Sequence, residues 1–292
     1  MKDHPLFRYF RSSYFLFVFS LVSSCSWSSA YLLIVKTEAS SSSSSSFTCW
    51  KRGHLRCSRH RSTTLQARKS NARRRGCSDV LHVEKGLNER GFHPIIGSDE
   101  SGRGCIAGPV VAASCCVLID DWSEYTPIEG VNDSKMLSSK ERERIFDRVV
   151  SDPDRYVWKI AERSNQEIDD SNILLATMEC FKESIEGVAE RLTDSQHRPY
   201  SIVDGKKTPK LSVKGLPCRP FVKADANVYT VALASILAKV SRDRLAAGWA
   251  ESYPEYGFDT HKGYAVPEHI EAIHRYGPCP IHRLSFKSLK GR

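Results

Sequence analysis

The residues of this chain best suited to chemistry are carboxylates that close apolar runs. Ile95 and Ile96 open a strand-like stretch that ends on two adjacent acids, Asp99 and Glu100, and the turn Gly102-Arg103-Gly104 follows directly. Tyr200-Ser201-Ile202-Val203 is another apolar run and ends in Asp204-Gly205. Phe221-Val222-Lys223-Ala224 leads to Asp225, ahead of a long stretch rich in Ala, Val, Ile and Leu. Asp and Glu are depleted in strands and seldom fully buried without a partner. Their recurrence at strand ends therefore needs a reason. A glycine turn beside them can aim backbone amides at a phosphate or a sugar. Plainer readings compete at each position: a charged hairpin tip for Asp99-Glu100, a simple turn for Asp204-Gly205, and a helix N-cap for Asp225. The last is compatible with a ligand role, because a capping carboxylate can leave its second oxygen for a metal. Gly, His, Lys and Tyr crowd the section from Tyr256 to Tyr264, and His282-Arg283 follows later. Such loops suit a surface that holds a polyanion next to a sugar ring.

These groups need a scaffold, and the periodicity supplies one. Pro109 through Ile119 reads as a second buried strand, in which the adjacent Cys115 and Cys116 should face opposite sides. Ser138 and Glu141 have the spacing of a capping box, with Leu137 placed for a hydrophobic staple and Ile145, Phe146 and Val149 as the buried face of the helix. Tyr156–Ala161 reads as a strand. Ser164 and Glu167 repeat the capping box. A long amphipathic helix begins near Asn172, with Ile173, Leu174, Met178, Phe181, Ile185, Val188 and Leu192 at helical spacing, a stripe that serves core packing. Residues 226–245 are apolar on most faces, which predicts a largely buried helix, and a short helix is expected from Pro267 to about Tyr276.

The net charge of +9 over 292 residues is misleading until it is divided. Residues 1–80 hold 14 Lys/Arg against 3 Asp/Glu, a net of +11, and residues 81–292 hold 29 against 31, a net of −2. The positive excess belongs to the leader and says nothing about an anionic ligand of the body. That leader begins with Lys2, Arg8 and Arg11 before a short apolar run, Tyr14–Val22, and continues through a serine run, Ser40–Ser46. From Lys51 to Arg75 it is rich in Arg and Ser and has no acid. A secretory-like start followed by a transit-like stretch predicts a bipartite address to a plastid, with a mitochondrial presequence as the alternative. The expected organisation is thus a targeting leader, residues 1–80, and a catalytic domain, residues 81–292, with no stable membrane association once mature. Of ten cysteines, four lie in the leader, and no C-x-x-C occurs. This is not the pattern of a disulfide scaffold or of a structural zinc site. Cys105, Cys180, Cys218 and Cys279 read as small apolar or loop residues in a reducing compartment.

Taken together, the motifs resemble type 2 ribonuclease H in its bacterial form, ribonuclease HII. Asp99-Glu100-Ser101-Gly102-Arg103-Gly104 looks like the family's DExGRG signature. The likeness continues through Asn132-Asp133-Ser134-Lys135, Glu167-Ile168-Asp169, Asn172-Ile173-Leu174 and Val203-Asp204-Gly205. It then runs through Ala234–Val240, Arg242-Asp243-Arg244, His261-Lys262-Gly263-Tyr264 and His282–Phe286, all in the family's order. Ser101, Ala224 and Val266 depart from the usual pattern without removing an acid.

The resemblance implies an α/β, ribonuclease H-like fold: a central mixed β-sheet flanked by helices, with a mostly helical C-terminal part. It implies a metal-dependent endoribonuclease acting on RNA–DNA hybrids and on single ribonucleotides embedded in duplex DNA. Asp99, Glu100, Asp204 and Asp225 would be the catalytic acids and would hold two divalent ions, Mg²⁺ or Mn²⁺. Without metal they should repel one another, and at least one pKa should rise. Gly102, Arg103 and Gly104 would read the 2′-hydroxyl, and Tyr264 would stack on the sugar past the cut. Lys135, Lys239 and Arg242 would contact phosphates, against a plainer role as solvated surface or helix-end ion pairs. The protein is expected to act as a monomer. The alternative is a catalytically silent nucleic-acid binder of the same fold. A nucleotide-cofactor enzyme is disfavoured, because Gly102-Arg103-Gly104 leads into a strand rather than a G-x-G-x-x-G helix.

Overall fold

The computed structural model describes residues 80–131, 137–192, 197–287 and 289. The leader reading, the Asn132–Lys135 motif and the phosphate contact expected of Lys135 lie outside the described residues. Five strands form one sheet: β1 (Ile95–Ser101), β2 (Val110–Val117), β3 (Tyr156–Arg163), β4 (Tyr200–Asp204) and β5 (Cys218–Phe221), in the order β3-β2-β1-β4-β5. β1 and β3 each run antiparallel to β2, whereas β1–β4 and β4–β5 are parallel. The sheet is therefore mixed, as the resemblance implies. β2 is buried along its whole length, which a strand covered on both faces requires. Cys115 packs into one core cluster and Cys116 into the other, so the pleat separates them as expected. The outer strands blunt their edges: β3 carries Lys159, Glu162 and Arg163, and β5 carries Pro220.

Helices cover both faces. On one side lie α2 (Ser139–Val150) and α5 (Tyr229–Ser252), with Ile145, Phe146, Leu233 and Leu237 in a common core with β2. On the other lies α4 (Ile173–Ala189), which buries Phe181, Ile185 and Val188 against Ile96, Cys116 and Val203. Local signals start these helices. Ser138 and Glu141 form the capping box of α2, Ser164 and Glu167 that of the short α3 (Asn165–Asp170), and the Asn172 side chain accepts from Leu175 N at 3.0 Å to begin α4. The staple expected of Leu137 is absent. Position N4 holds Arg142, which donates to the Leu137 carbonyl at 2.5 Å instead.

The long apolar helix differs from expectation at its start. Asp225 is not its N-cap. It sits in a separate 3-10 turn, Ala224–Ala226, and Val228, an extended residue without a capping side chain, precedes α5. The cap comes from elsewhere in the chain. Glu84, on α1 (His82–Asn88), accepts from Thr230 N at 3.0 Å and from the Thr230 hydroxyl at 3.2 Å. α5 then crosses β1 closely: a Cβ on Gly97 would lie 2.2 Å from the Thr230 carbonyl carbon, so only glycine fits there. The C-terminal part is mostly helical, with α6 (Phe258–His261) and α7 (Pro267–Tyr276), and clusters Tyr256, Phe258 and Ile273 against Ile106 and Ala107. Asp169 pins the segment that follows, accepting from Leu284 N at 2.8 Å and Ser285 N at 3.0 Å. Among the described residues no helix is long and apolar enough to cross a membrane.

Candidate active site

The four acids singled out in the sequence meet in one cavity of about 520 Å³. β1 is the central strand and β4 its parallel neighbour, and Ser98 pairs with Val203, so Asp99 and Asp204 leave the sheet at the same end and the same level. Glu100 follows Asp99 on β1, and Asp225 enters from the turn after β5. Gly102, Arg103, Gly104, Lys239 and Tyr264 line the same cavity, together with Ser235 and Arg142. Ser235 and Lys239 stand one turn apart on α5, so both project from its one face.

The electrostatics are those of an acidic cluster short of positive charge. Asp99 is 7% exposed. Burial, and then the Glu100 charge, hold its carboxyl well above the usual range, with Asp204 adding to the rise and a hydrogen bond from Ser235 opposing it. Glu100 is raised too, by burial first, while Arg103 at 3.4 Å pulls it back and Asp204 pushes it up. The upward shift expected of clustered acids is thus present. Local bonds fix the carboxylates: Glu100 N donates to Asp99 Oδ1 at 2.8 Å, and Ala224 N donates to Asp204 Oδ1 at 2.7 Å. The second bond ties the strand end of β4 to the turn that carries Asp225.

These are hard oxygen donors, partly buried and mutually repelling, and a divalent cation is the group that such a set accommodates. Among the described residues no trio of His, Cys, Asp or Glu is already drawn around a single point. The carboxylates line the cavity from three separate elements, an arrangement that leaves room for ligands from a substrate.

The substrate-side residues divide. Gly102 has φ +88°, the left-handed region, and presents main chain rather than side chain to the cavity. Lys239 Nζ lies 2.6 Å from Asp243 Oδ1 and 6.0 Å from the Tyr264 ring centroid, so it is both a helix ion pair and a cavity cation. Tyr264 is 41% exposed and faces the cavity. Arg242 does not contact the cavity. It is fully buried and donates to the carbonyls of Pro109, Lys262 and Ala107 at 3.2, 2.7 and 2.9 Å. The phosphate contact expected of it is corrected to a clamp, which joins the Gly102 loop to the Tyr264 loop. Arg283, also buried, ties its own C-terminal segment to the loop after Gly102, donating to Gly108 O at 2.8 Å and Cys105 O at 2.7 Å. Sequence reasoning gave no role to Ser235 or Arg142. Ser235 lies inside a quoted motif block, and Arg142 was hidden behind the capping-box reading of its helix.

Comparison with known proteins shows the family and the fold. The profile of the ribonuclease HII family matches residues 96–289. The ribonuclease HII of Idiomarina loihiensis is 43% identical over 196 residues, covering 67% of this chain and 96% of that protein. Among solved structures, the Archaeoglobus fulgidus PCNA:RNase HII complex contains a chain 26% identical, with a TM-score of 0.52, covering 66% of this chain and 95% of that one. Bst-RNase HIII in complex with Mn²⁺ shares the fold at 20% identity, with a TM-score of 0.53 and 70% of each chain covered.

Proposed function

This chain belongs to the ribonuclease HII family, and from that membership we propose that it is an endoribonuclease that hydrolyses the RNA strand of RNA–DNA hybrids and nicks 5′ of single ribonucleotides in duplex DNA. The observation that carries the reading is the convergence of Asp99, Glu100, Asp204 and Asp225 on one cavity with the Gly102–Gly104 turn and Tyr264. Asp99, Glu100, Asp204 and Asp225 would hold two divalent ions, Mg²⁺ or Mn²⁺. Such ions would supply activation of a water and stabilisation of the leaving oxygen, and the ends expected are a 5′-phosphate and a 3′-hydroxyl. Mn²⁺ bound to Bst-RNase HIII, a protein of the same fold, supports divalent metal use.

The chain's own groups do the rest. Ser235 holds the Asp99 carboxylate in place by its hydrogen bond. Main chain at Gly102 approaches the ribose, whose 2′-hydroxyl separates RNA from DNA. Arg103 and Lys239 offer charge to the flanking phosphates. The Tyr264 ring packs on the sugar beyond the cut, which favours an RNA-to-DNA step. Removal of misincorporated ribonucleotides and of primer RNA is the role such a reaction serves. The test is cleavage by the full chain of a duplex bearing one ribonucleotide and of a continuous hybrid, with Mg²⁺ or Mn²⁺. A nick 5′ of the ribonucleotide is expected. Cleavage of the hybrid alone would remove the junction role of Tyr264, and binding without cleavage of either would leave a silent binder.

A further inference from the structure

Behind Tyr264 lies a buried row of imidazoles that the hydrolysis itself does not use. His269, on α7, is fully buried, and His282 is 1% exposed. Their Nε2 atoms are 3.0 Å apart. His269 Nδ1 lies 2.8 Å from the Tyr264 carbonyl oxygen, and the Cys279 amide donates to His282 Nδ1 at 2.9 Å. A carbonyl only accepts, so His269 carries its proton on Nδ1 and, as a neutral ring, has a bare Nε2. The 3.0 Å contact between the two Nε2 atoms then needs the His282 proton on Nε2. His282 Nδ1 is left to accept from the Cys279 amide at 2.9 Å, with the Cys279 carbonyl oxygen also 3.2 Å away. His282 Nε2–H therefore donates to the bare Nε2 of His269. The result is a continuous chain, with both rings neutral, from the Cys279 amide to the Tyr264 carbonyl. His261 stacks on His269 with centroids 4.2 Å apart, accepts from Gly263 N at 3.1 Å, and its own carbonyl accepts from Tyr264 N at 2.9 Å. Both main-chain polar groups of Tyr264 are thus bonded to histidine residues.

We propose that His269 is a positioning residue for the reaction: through its Nδ1–H it fixes the main chain of Tyr264, and His282 fixes the ring that does so. The proposal rests on the junction role given to Tyr264 above. Tyr264 needs such support. It follows Gly263 at φ +83° and Lys262 at φ +52°, and the left-handed backbone of the non-glycine Lys262 is a costly one. The ring is partly exposed and must meet a sugar at a fixed height. A shift of about 1 Å at such a contact costs on the order of 100-fold in rate. The requirement at position 269 is one donor at the Nδ1 position. Asparagine supplies a donor at nearly that place, because its Nδ2 follows the same first side-chain bonds, while it gives up the link to His282. Alanine supplies none.

The test uses the full chain and the ratio of kcat/KM on the single-ribonucleotide duplex to that on a continuous hybrid. Y264A sets the scale by lowering the ratio. H269A should lower it by about tenfold, the loss of one buried hydrogen bond. H269N should restore most of it, and H269A added to Y264A should lower it no further. If Y264A leaves the ratio unchanged, the tyrosine's role falls and this inference with it. If Y264A lowers the ratio and H269A does not, or if H269N is as impaired as H269A, the positioning role alone is overturned. Should H269A fail to fold, as judged by circular dichroism, H269N decides: a ratio near wild type supports the role, and one near that of Y264A refutes it.

Discussion

Asp99 is the residue at which stability and activity pull apart. Its carboxyl is buried, beside Glu100 and Asp204, and held well above the ordinary range by that burial and those charges. The folded chain therefore keeps the Asp99 proton to a higher pH than the unfolded chain does, and folding loses stability as pH rises past the ordinary carboxylate range. Asp99→Asn should abolish cleavage, by at least about 10³-fold on the scale of lost charge stabilisation. The same change should raise stability by about 1 kcal/mol, as relief of a strained functional site does, and the gain should grow with pH. Thermal melts at pH 6 and pH 8 beside a cleavage assay check both halves, and a variant that melts lower than wild type at pH 8 would contradict the second. Gly102 is the other sensitive position. A Cβ there would fall 2.0 Å from Arg242 Nε on a backbone at φ +88°. Gly102→Ala must displace the guanidinium that ties the two substrate loops together, and it should cut kcat/KM by about 10²-fold, the cost of a 1 Å misplacement. Single-turnover cleavage with a melting control reads this, and a fall in melting temperature with unchanged turnover would show that the loop tolerates the shift.

Among the elements, α5 carries the most function, because it packs on β1 at Gly97 and brings Ser235 and Lys239 to the acids. Its start depends on Glu84. That carboxyl is buried and raised to about 7, by burial first, with the bonds from Thr230 opposing the rise, and its Oε2 has no hydrogen-bond partner among the described residues. A helix N-terminus favours a negative charge, but a fully buried one pays for desolvation. Because the folded pKa lies above the unfolded one, wild-type stability should decline from about pH 4.5 to pH 7, by up to roughly 3 kcal/mol. Glu84→Gln keeps the acceptor for Thr230 N and removes the titration, so its stability should be flatter with pH and exceed that of wild type near pH 8. Denaturant midpoints across pH 5–8 measure this, and parallel curves would sink it. The same helix shows where a sequence stops being readable. The capping boxes of α2 and α3, the Pro267 start of α7 and the face assignment of Cys115 and Cys116 are legible because each signal sits within a few residues of its effect. The start of α5 is not, because its cap lies 146 residues upstream. Arg242 reads as a surface cation for the same reason: its partners are carbonyls of a loop 133 and 135 residues earlier. The four acids are legible as acids at strand ends, but their meeting rests on the parallel β1–β4 pairing, which periodicity alone does not specify.

At the scale of the whole molecule, charge is unevenly shared. Residues 81–292 carry a net of −2, and residues 1–80 a net of +11. A near-neutral body holding a polyanion must rely on a few local cations, and among the described residues Arg103, Arg142 and Lys239 line the cavity. Each phosphate neutralised adds about −0.9 to the slope of log affinity against log salt. The body alone should therefore show a shallow slope, between about −2 and −4 if those cations act with one or two more. Lys239→Ala should flatten it by about one. Residues 1–80, the expected leader, should steepen that slope when present. The stretch from Lys51 to Arg75 holds ten Lys/Arg and no acid, a charge that attracts phosphate without regard to sequence, so the full chain should bind DNA lacking ribonucleotides more tightly and with a steeper slope than a chain beginning at residue 80. If the leader is an organellar address, as its composition argues, its removal on import releases the enzyme from that non-specific grip where its substrate lies. A fluorescent fusion of residues 1–80 should then enter a plastid, and a shorter processed form should be recovered from it. Binding isotherms at several salt concentrations for the two chains, on plain and ribonucleotide-bearing duplex, complete the argument. Equal slopes would mean that the leader's charge is not felt by DNA, and a fusion confined to the cytosol would mean that the charge is not an address.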